Sequence, residues 1–207
     1  KGENLTAENA HLSVDLETDS FDLNDIKPTL AFFAKDAEKA LAKITELQIE
    51  EISLNIQTPL AALEKPEVLK QQSSGQLNFN IKNVVLNLGP NPLRINPLEG
   101  TGKWSKGVLH PDIKGTALGS QFGLKGELPL TTTQKNIKAD INWTELDITR
   151  LPLPKAEGWH PESGNVSGAL NLSGPIPEAG KALPKNLKGK LNFKFKQLVL
   201  AQPNQSE

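Results

Sequence analysis

The stretch Gly75-Gln-Leu-Asn-Phe-Asn-Ile-Lys-Asn-Val-Val-Leu86 recurs as Gly189-Lys-Leu-Asn-Phe-Lys-Phe-Lys-Gln-Leu-Val-Leu200, with seven of the twelve positions identical at an offset of 114 residues. Its first half alternates apolar and polar side chains, the period of a strand with one apolar face. Leu77, Phe79 and Ile81 share that face; the phase then slips, and Val84, Leu86 and Leu88 continue on the other parity. Leu191, Phe193 and Phe195 slip at the corresponding place to Leu198 and Leu200, and near residue 140 Ile137, Ala139, Ile141 and Trp143 give way to Leu146 and Ile148. One inserted residue that restores the inward face is a β-bulge, which bends the strand and increases its twist. The pattern therefore predicts long, bent strands.

The repeat reaches upstream, where Ser53-Leu-Asn-Ile-Gln-Thr-Pro59 resembles Ala169-Leu-Asn-Leu-Ser-Gly-Pro175. Two units result, about 44–88 and 158–202, each a strand, a Pro-bearing connection and a bulged strand. Repetition at this scale is the mark of a duplicated structural unit. A catalytic centre has no reason to repeat its surrounding strand pattern while repeating no reactive side chain.

Working outward, Leu12, Val14 and Leu16 alternate as a strand, and further strands are expected at about 49–57, 75–88, 100–108, 112–119, 121–128, 135–149, 164–174 and 187–201. Gly115, Gly119, Gly123 and Gly126 suggest tight hairpins, whereas Pro92, Pro97, Pro152, Pro154, Pro175 and Pro177 mark connections that strands do not cross. One segment departs from period two. Over about 25–48 the residues Leu30, Phe33, Ala37, Leu41, Ile44 and Leu47 step by three or four, with Asp25 as a cap and Pro28 in the first turn, predicting an amphipathic helix. The expected fold is mainly β: curved antiparallel sheet built from the duplicated unit, with one packed helix near the N-terminus, in a single domain over 1–207.

Composition removes several function classes. Lys and Arg total 23 against 24 Asp and Glu, and the only arginines are Arg94 and Arg150. A nucleic-acid partner is disfavoured, because binding phosphates needs a concentrated basic footprint. Without Cys there is neither a disulfide framework nor a thiolate metal site. No run approaches the ~20 apolar residues of a membrane span. The chain opens on Lys1 without Met, which leads us to expect a fragment whose signal or anchor lies outside it.

The reactive residue types do not assemble into a motif. His11, His110 and His160 are scattered, and His110-Pro-Asp112 reads as a solvated turn. Glu46, Glu50 and Glu51, and Asp140, Glu145 and Asp147, are acidic clusters that could pair carboxylates, but Lys138, Asp140 and Asn142 fall on a polar strand face where charges are solvated. Gly119-Ser-Gln-Phe-Gly123 does not reproduce a nucleophile elbow. Asn-x-Ser/Thr triplets at Asn4, Asn142, Asn165, Asn171 and Asn204 read as coincidence in a chain rich in Asn and Thr. Trp143 is in phase with the core, and Trp104 and Trp159 are expected to cap the sheet ends. No catalytic residue, metal site or cofactor is expected.

Glu145-Leu-Asp-Ile-Thr-Arg-Leu-Pro-Leu-Pro154, Gly164-Asn-Val-Ser-Gly-Ala-Leu-Asn-Leu172 and Gly189–Leu200 together resemble the cadence of AsmA- and TamB-like bacterial envelope proteins, and within that group the type II secretion system protein N family. The segment from Gly100 to Leu130 fits the same style; the 25–48 segment does not. The resemblance implies a periplasmic domain of bent antiparallel strands forming a groove, tethered to the inner membrane through an anchor outside this sequence. It also implies non-enzymatic roles, as accessory parts of a secretion machine or as an apolar trough that shelters lipid. The residues themselves supply the groove: Leu77, Phe79, Ile81, Ile137, Ile141, Trp143, Leu191, Phe193 and Phe195. Two readings follow, a structural and interaction domain that docks envelope or secretion-system proteins through sheet edges, and a groove for phospholipid. An enzyme acting on envelope glycans is the third and weakest.

Overall fold

The computed structural model describes residues 10–25, 42–87, 92–131, 136–150, 160–175 and 184–201. They form one open antiparallel sheet of ten strands: β1 (His11–Thr18), β2 (Phe21–Asp22), β3 (Ile44–Pro59), β4 (Ser74–Leu86), β5 (Leu93–Ser105), β6 (Val108–Ala117), β7 (Ser120–Pro129), β8 (Asn136–Asp147), β9 (His160–Pro175) and β10 (Lys188–Ala201). Nine of them follow one another across the sheet in chain order, from β1 through β3 to β10, and the short β2 pairs on β3. Every neighbour pair is antiparallel. An odd number of alternating strands leaves the two edges, β1 and β10, pointing the same way.

Local chemistry sets the corners. The turns Lys106-Gly107 (φ 50° and 74°) and Leu118-Gly119 (φ 54° and 79°) each join strands through two residues with positive φ, the geometry that matches the twist of a tight hairpin. Glycine takes the second position of both because a side chain there is strained. Between β3 and β4 lies α1 (Pro66–Gln72), with Pro66 in its first turn, where the missing N–H costs nothing, and an exposed Lys70–Glu67 pair at 2.9 Å.

The three phase slips are bulges at the expected places. Partners run Gln48↔Asn83 to Ile49↔Ile81, leaving Lys82 of β4 extra; Trp143↔Gly168 to Leu146↔Val166 leaves one extra residue in β8; Lys196↔Asn165 to Val199↔Ser163 leaves one in β10. Glu145 (φ 53°) and Gln197 (φ 55°) carry the strained conformation at the last two. The two units also pair in one register. Leu54↔Leu77 and Ile56↔Gly75 correspond to Leu170↔Leu191 and Leu172↔Gly189.

Several expectations are corrected. Most of the 25–48 helix lies outside the described residues, but its last part, from Ile44, is strand β3. Bulges in β3 explain the confusion: Ile44↔Leu86 is followed by Glu46↔Val85 and Leu47↔Val84, so an inserted residue turns a step of two into a step of three that imitates a helix. A helical turn begins at 23–25, capped by Asp22, whose Oδ1 accepts from the backbone of Asn24 (2.7 Å) and Asp25 (3.4 Å), while Asp25 Oδ2 accepts from Asp22 N (2.8 Å). Asp25 is thus the third residue of a capping box and not the cap. Pro97 does not end a strand: it sits inside β5 where the register shifts between Ile95↔Ala117 and Leu98↔Gly115. His110-Pro-Asp112 is not a turn but part of β6, and no β6–β7 partner falls between Leu109↔Leu128 and Asp112↔Lys125, so the missing N–H of Pro111 breaks no pair there. Gly115, Gly123 and Gly126 lie within strands; only Gly119 makes a hairpin.

Candidate functional site: one apolar face of the sheet

Directly paired residues of neighbouring strands share a face, so the registers define both sides of the sheet. One row reads Ile52, Phe79, Gly100, Ile113, Leu124, Ile141, Leu170, Leu191, unbroken from β3 to β10. A second reads Ile49, Ile81, Leu98, Gly115, Phe122, Trp143, Gly168, Phe193. Shorter rows flank them: Leu16, Leu54, Leu77, Gly102, Pro111 on one side, and Leu47, Val84, Ile95, Ala117 on the other. Ile137 continues the same parity of β8 opposite Gly174, and Phe195 lies opposite Val166 beyond Phe193. All nine residues expected to line the groove therefore stand on one face.

The reverse face is mostly polar, with Val85 buried beside Glu46 and Arg94, and Val108 beside Ser105, as apolar exceptions. Beneath the first apolar row runs Glu17, Ser53, Asn78, Thr101, Asp112, Lys125, Asp140, Asn171, Lys190. Its side chains bind one another across strands: Asn78 Nδ2 donates to Ser53 Oγ (2.9 Å), Asn171 donates to Asp140, and Lys125 pairs with Asp112 (2.9 Å). The first is half-buried; the other two are exposed and contribute little each to stability.

Glycines seat the rings of the apolar face. Phe79 lies opposite Gly100, Trp104 opposite Gly75, Phe122 opposite Gly115 and Trp143 opposite Gly168, and a Cβ built on any of these glycines would run into its ring. The rings lie down across the neighbouring strand, which covers backbone and keeps the face low. Trp143 Nε1 is buried there with no acceptor, so apolar contact and not a hydrogen bond positions that indole. Trp104 sits on the same face near the end of β5; Trp159 is outside the described residues. Sequence reasoning missed these seats, although their signal was present as glycines falling in phase with the leucines.

Cover is incomplete. The buried apolar residues of this face, Ile49, Val84, Ile95 and Val166, cluster toward the bulges, and no large side chain among the described residues is fully buried. Leu191 (54%), Phe193 (56%) and Phe195 (42%) stand exposed on β10, with the two rings edge to face at 5.3 Å.

The groups that could have carried chemistry are dispersed. Glu46 holds Arg94 (3.3 Å) and accepts from Asn83, Glu50 accepts from Asn80, and Glu145 holds Lys196 (3.2 Å). Asp147 is held below the usual carboxylate range by hydrogen bonds from Thr149, and Glu127 by its bond to Lys138, whose own pKa rises in return. No three His, Cys, Asp or Glu converge on a metal-sized site among the described residues. A shallow hollow of about 330 Å³ is bordered by Glu99, Asp112, Lys114, Gln121 and Asn142, and its Asp112 is paired with Lys125. Asn142, Asn165 and Asn171 of the Asn-x-Ser/Thr triplets lie in strands. No helix among the described residues is long and apolar enough to cross a membrane. Comparison with family models, curated proteins and solved structures gives no match to this chain.

Proposed function

We propose that this chain is a non-catalytic module of the bacterial envelope whose apolar sheet face shelters the acyl chains of phospholipid, in keeping with its resemblance to AsmA- and TamB-like proteins. One observation carries the reading: the apolar rows continue without a polar interruption from β3 to β10. Eight strands at ~4.8 Å spacing extend over ~34 Å, and the face measures on the order of 1,000 Å² against the few hundred that monomers usually expose. A core for this chain alone needs no such corridor. Acyl chains fit it because the contact is non-directional and demands no polar partner, and each methylene covered contributes about 0.8 kcal/mol. The companion reading, an accessory secretion component that binds proteins through a sheet edge, is favoured by the exposed β10.

The test is lipid content. The chain purified from bacteria should carry phospholipid by native mass spectrometry and exchange it for a fluorescent phosphatidylethanolamine. Ile141→Glu, in the middle of the apolar face, should lower bound lipid about tenfold, while Asn142→Glu on the reverse face should leave it unchanged. A chain that neither retains phospholipid nor takes up the probe overturns the reading, as does equal loss in both variants.

A further inference from the structure

By the standard of its own duplicate, β10 lacks an outer neighbour among the described strands. β4 lies between β3 and β5; β10 has β9 in the place of β3, and no described strand in the place of β5. Because both units pair in the same register, the outer edge of β10 is the counterpart of the edge on which β5 lies. β5 shows what such an edge accepts: Trp104 opposite Gly75, Gly102 opposite Leu77, Gly100 opposite Phe79 and Leu98 opposite Ile81. The corresponding residues of β10 are Gly189, Leu191, Phe193 and Phe195. They are exposed, whereas Leu77, Phe79 and Ile81 are half-buried.

Charge narrows the occupant. The polar face of β10 presents Lys188, Lys190, Lys194 and Lys196 where β4 has Ser74, Gln76, Asn80 and Lys82, and only Lys196 has an ion-pair partner among the described residues. Antiparallel pairing of β10 with β10 of a second copy would set lysine against lysine, which is how natural edges avoid self-association. An acidic strand meets the same lysines as partners. Nothing in the strand itself blocks pairing, since β10 runs for fourteen residues without Pro and its bulge lies beyond Lys196.

We propose that the outer edge of β10 is a strand-addition site for an extended acidic segment of a partner protein. The segment runs antiparallel to β10, with glycines opposite Leu191 and Phe193, a bulky ring opposite Gly189, and carboxylates beside Lys190 and Lys194. This edge is distinct from the apolar face, and the site stands whether or not that face carries lipid.

The probe is the peptide Pro-Leu-Glu-Gly-Thr-Gly-Glu-Trp-Ser, which is residues 97–105 with glutamate in place of Lys103. At millimolar concentration it should bind the full chain saturably and slow amide exchange over residues 189–195. The unaltered lysine peptide should bind about threefold more weakly. The doubly exposed variant Lys190→Glu/Lys194→Glu, with folding checked by circular dichroism, should reverse that preference, while Lys114→Glu in mid-sheet should not. Unchanged exchange in β10 at saturating peptide, or a preference indifferent to the charge swap, overturns the proposal. So does concentration-dependent self-association that protects the same amides without peptide, which would assign the edge to a second copy.

Discussion

β4 and β10 carry nearly the same sequence in different surroundings. Each has glycine as its second residue, presents leucine and phenylalanine on the apolar face, and bulges at the fifth or sixth residue beyond the first apolar one. Among the described strands β4 has a neighbour on both sides and β10 on one. In β4 Asn78 and Asn80 donate across to Ser53 and Glu50 of β3 and Gln76 donates to Asn78 along the strand, while in β10 Lys188, Lys190 and Lys194 are exposed and Lys196 pairs with Glu145. The difference teaches that the repeated sequence encodes a strand and its inner partner, and that the outer partner decides whether its rings are core or surface.

The largest expected contrast is at the leading glycines. A Cβ on Gly75 falls on the Asn55 carbonyl oxygen and the Trp104 ring, whereas one on Gly189 meets nothing closer than Leu172 Cδ2 at 3.3 Å. We predict that Gly75→Val destabilises by about 3 kcal/mol and Gly189→Val by under about 0.5 kcal/mol in chemical denaturation. Equal losses would mean that β10 is covered in solution. Next come the rings: Phe79→Ala should cost about 2 kcal/mol, and Phe193→Ala, at a side chain 56% exposed, under about 1 kcal/mol by the same measurement.

The bulges sharpen the comparison further. Gln197 holds φ 55°, whereas its counterpart Asn83 has no positive φ and accepts from Arg94 Nη1 at 3.1 Å. Gln197→Gly should therefore raise stability by about 0.5–1 kcal/mol, and Asn83→Gly should lower it by a similar amount, visible as opposite shifts in Tm. The smallest effect is in titration at the β8 bulge end. Thr149 holds Asp147 below its unfolded value of 3.8, so the associated stabilisation is present above that pH and lost as pH falls through the lower folded value. Thr149→Val should move the carboxyl titration, followed by NMR, upward toward 3.8; an unmoved titration would remove Thr149 as the cause.

Much of this sheet was legible because alternation and its slips are written along single strands. Ile81 to Val84, Trp143 to Leu146 and Phe195 to Leu198 each announced a bulge, and the nine apolar residues they bracket share one face. What was not legible depends on neighbours. Ile44 and Leu47 looked helical because a bulge at Thr45 can be recognised only against β4. Pro97 and Pro111 looked like strand ends because the register shift or missing pair that tolerates each belongs to the adjoining strand. The helix α1 is seven residues long, too short for a periodic signal to separate from its loop. Gly100 and Gly168 fall in phase with the leucines of their strands, but that they seat rings depends on Phe79 and Trp143 lying across from them.

The odd strand count along the sheet limits how such a molecule multiplies. Since the first and last margins run in one direction, a tandem gene fusion of two identical modules could not be joined by a simple hairpin while keeping both oily sides together. The linker would have to travel the whole length of a strand, or the second module would have to be inverted within the plane. A relative with one more or one fewer ribbon would escape that rule and could be strung end to end by short turns.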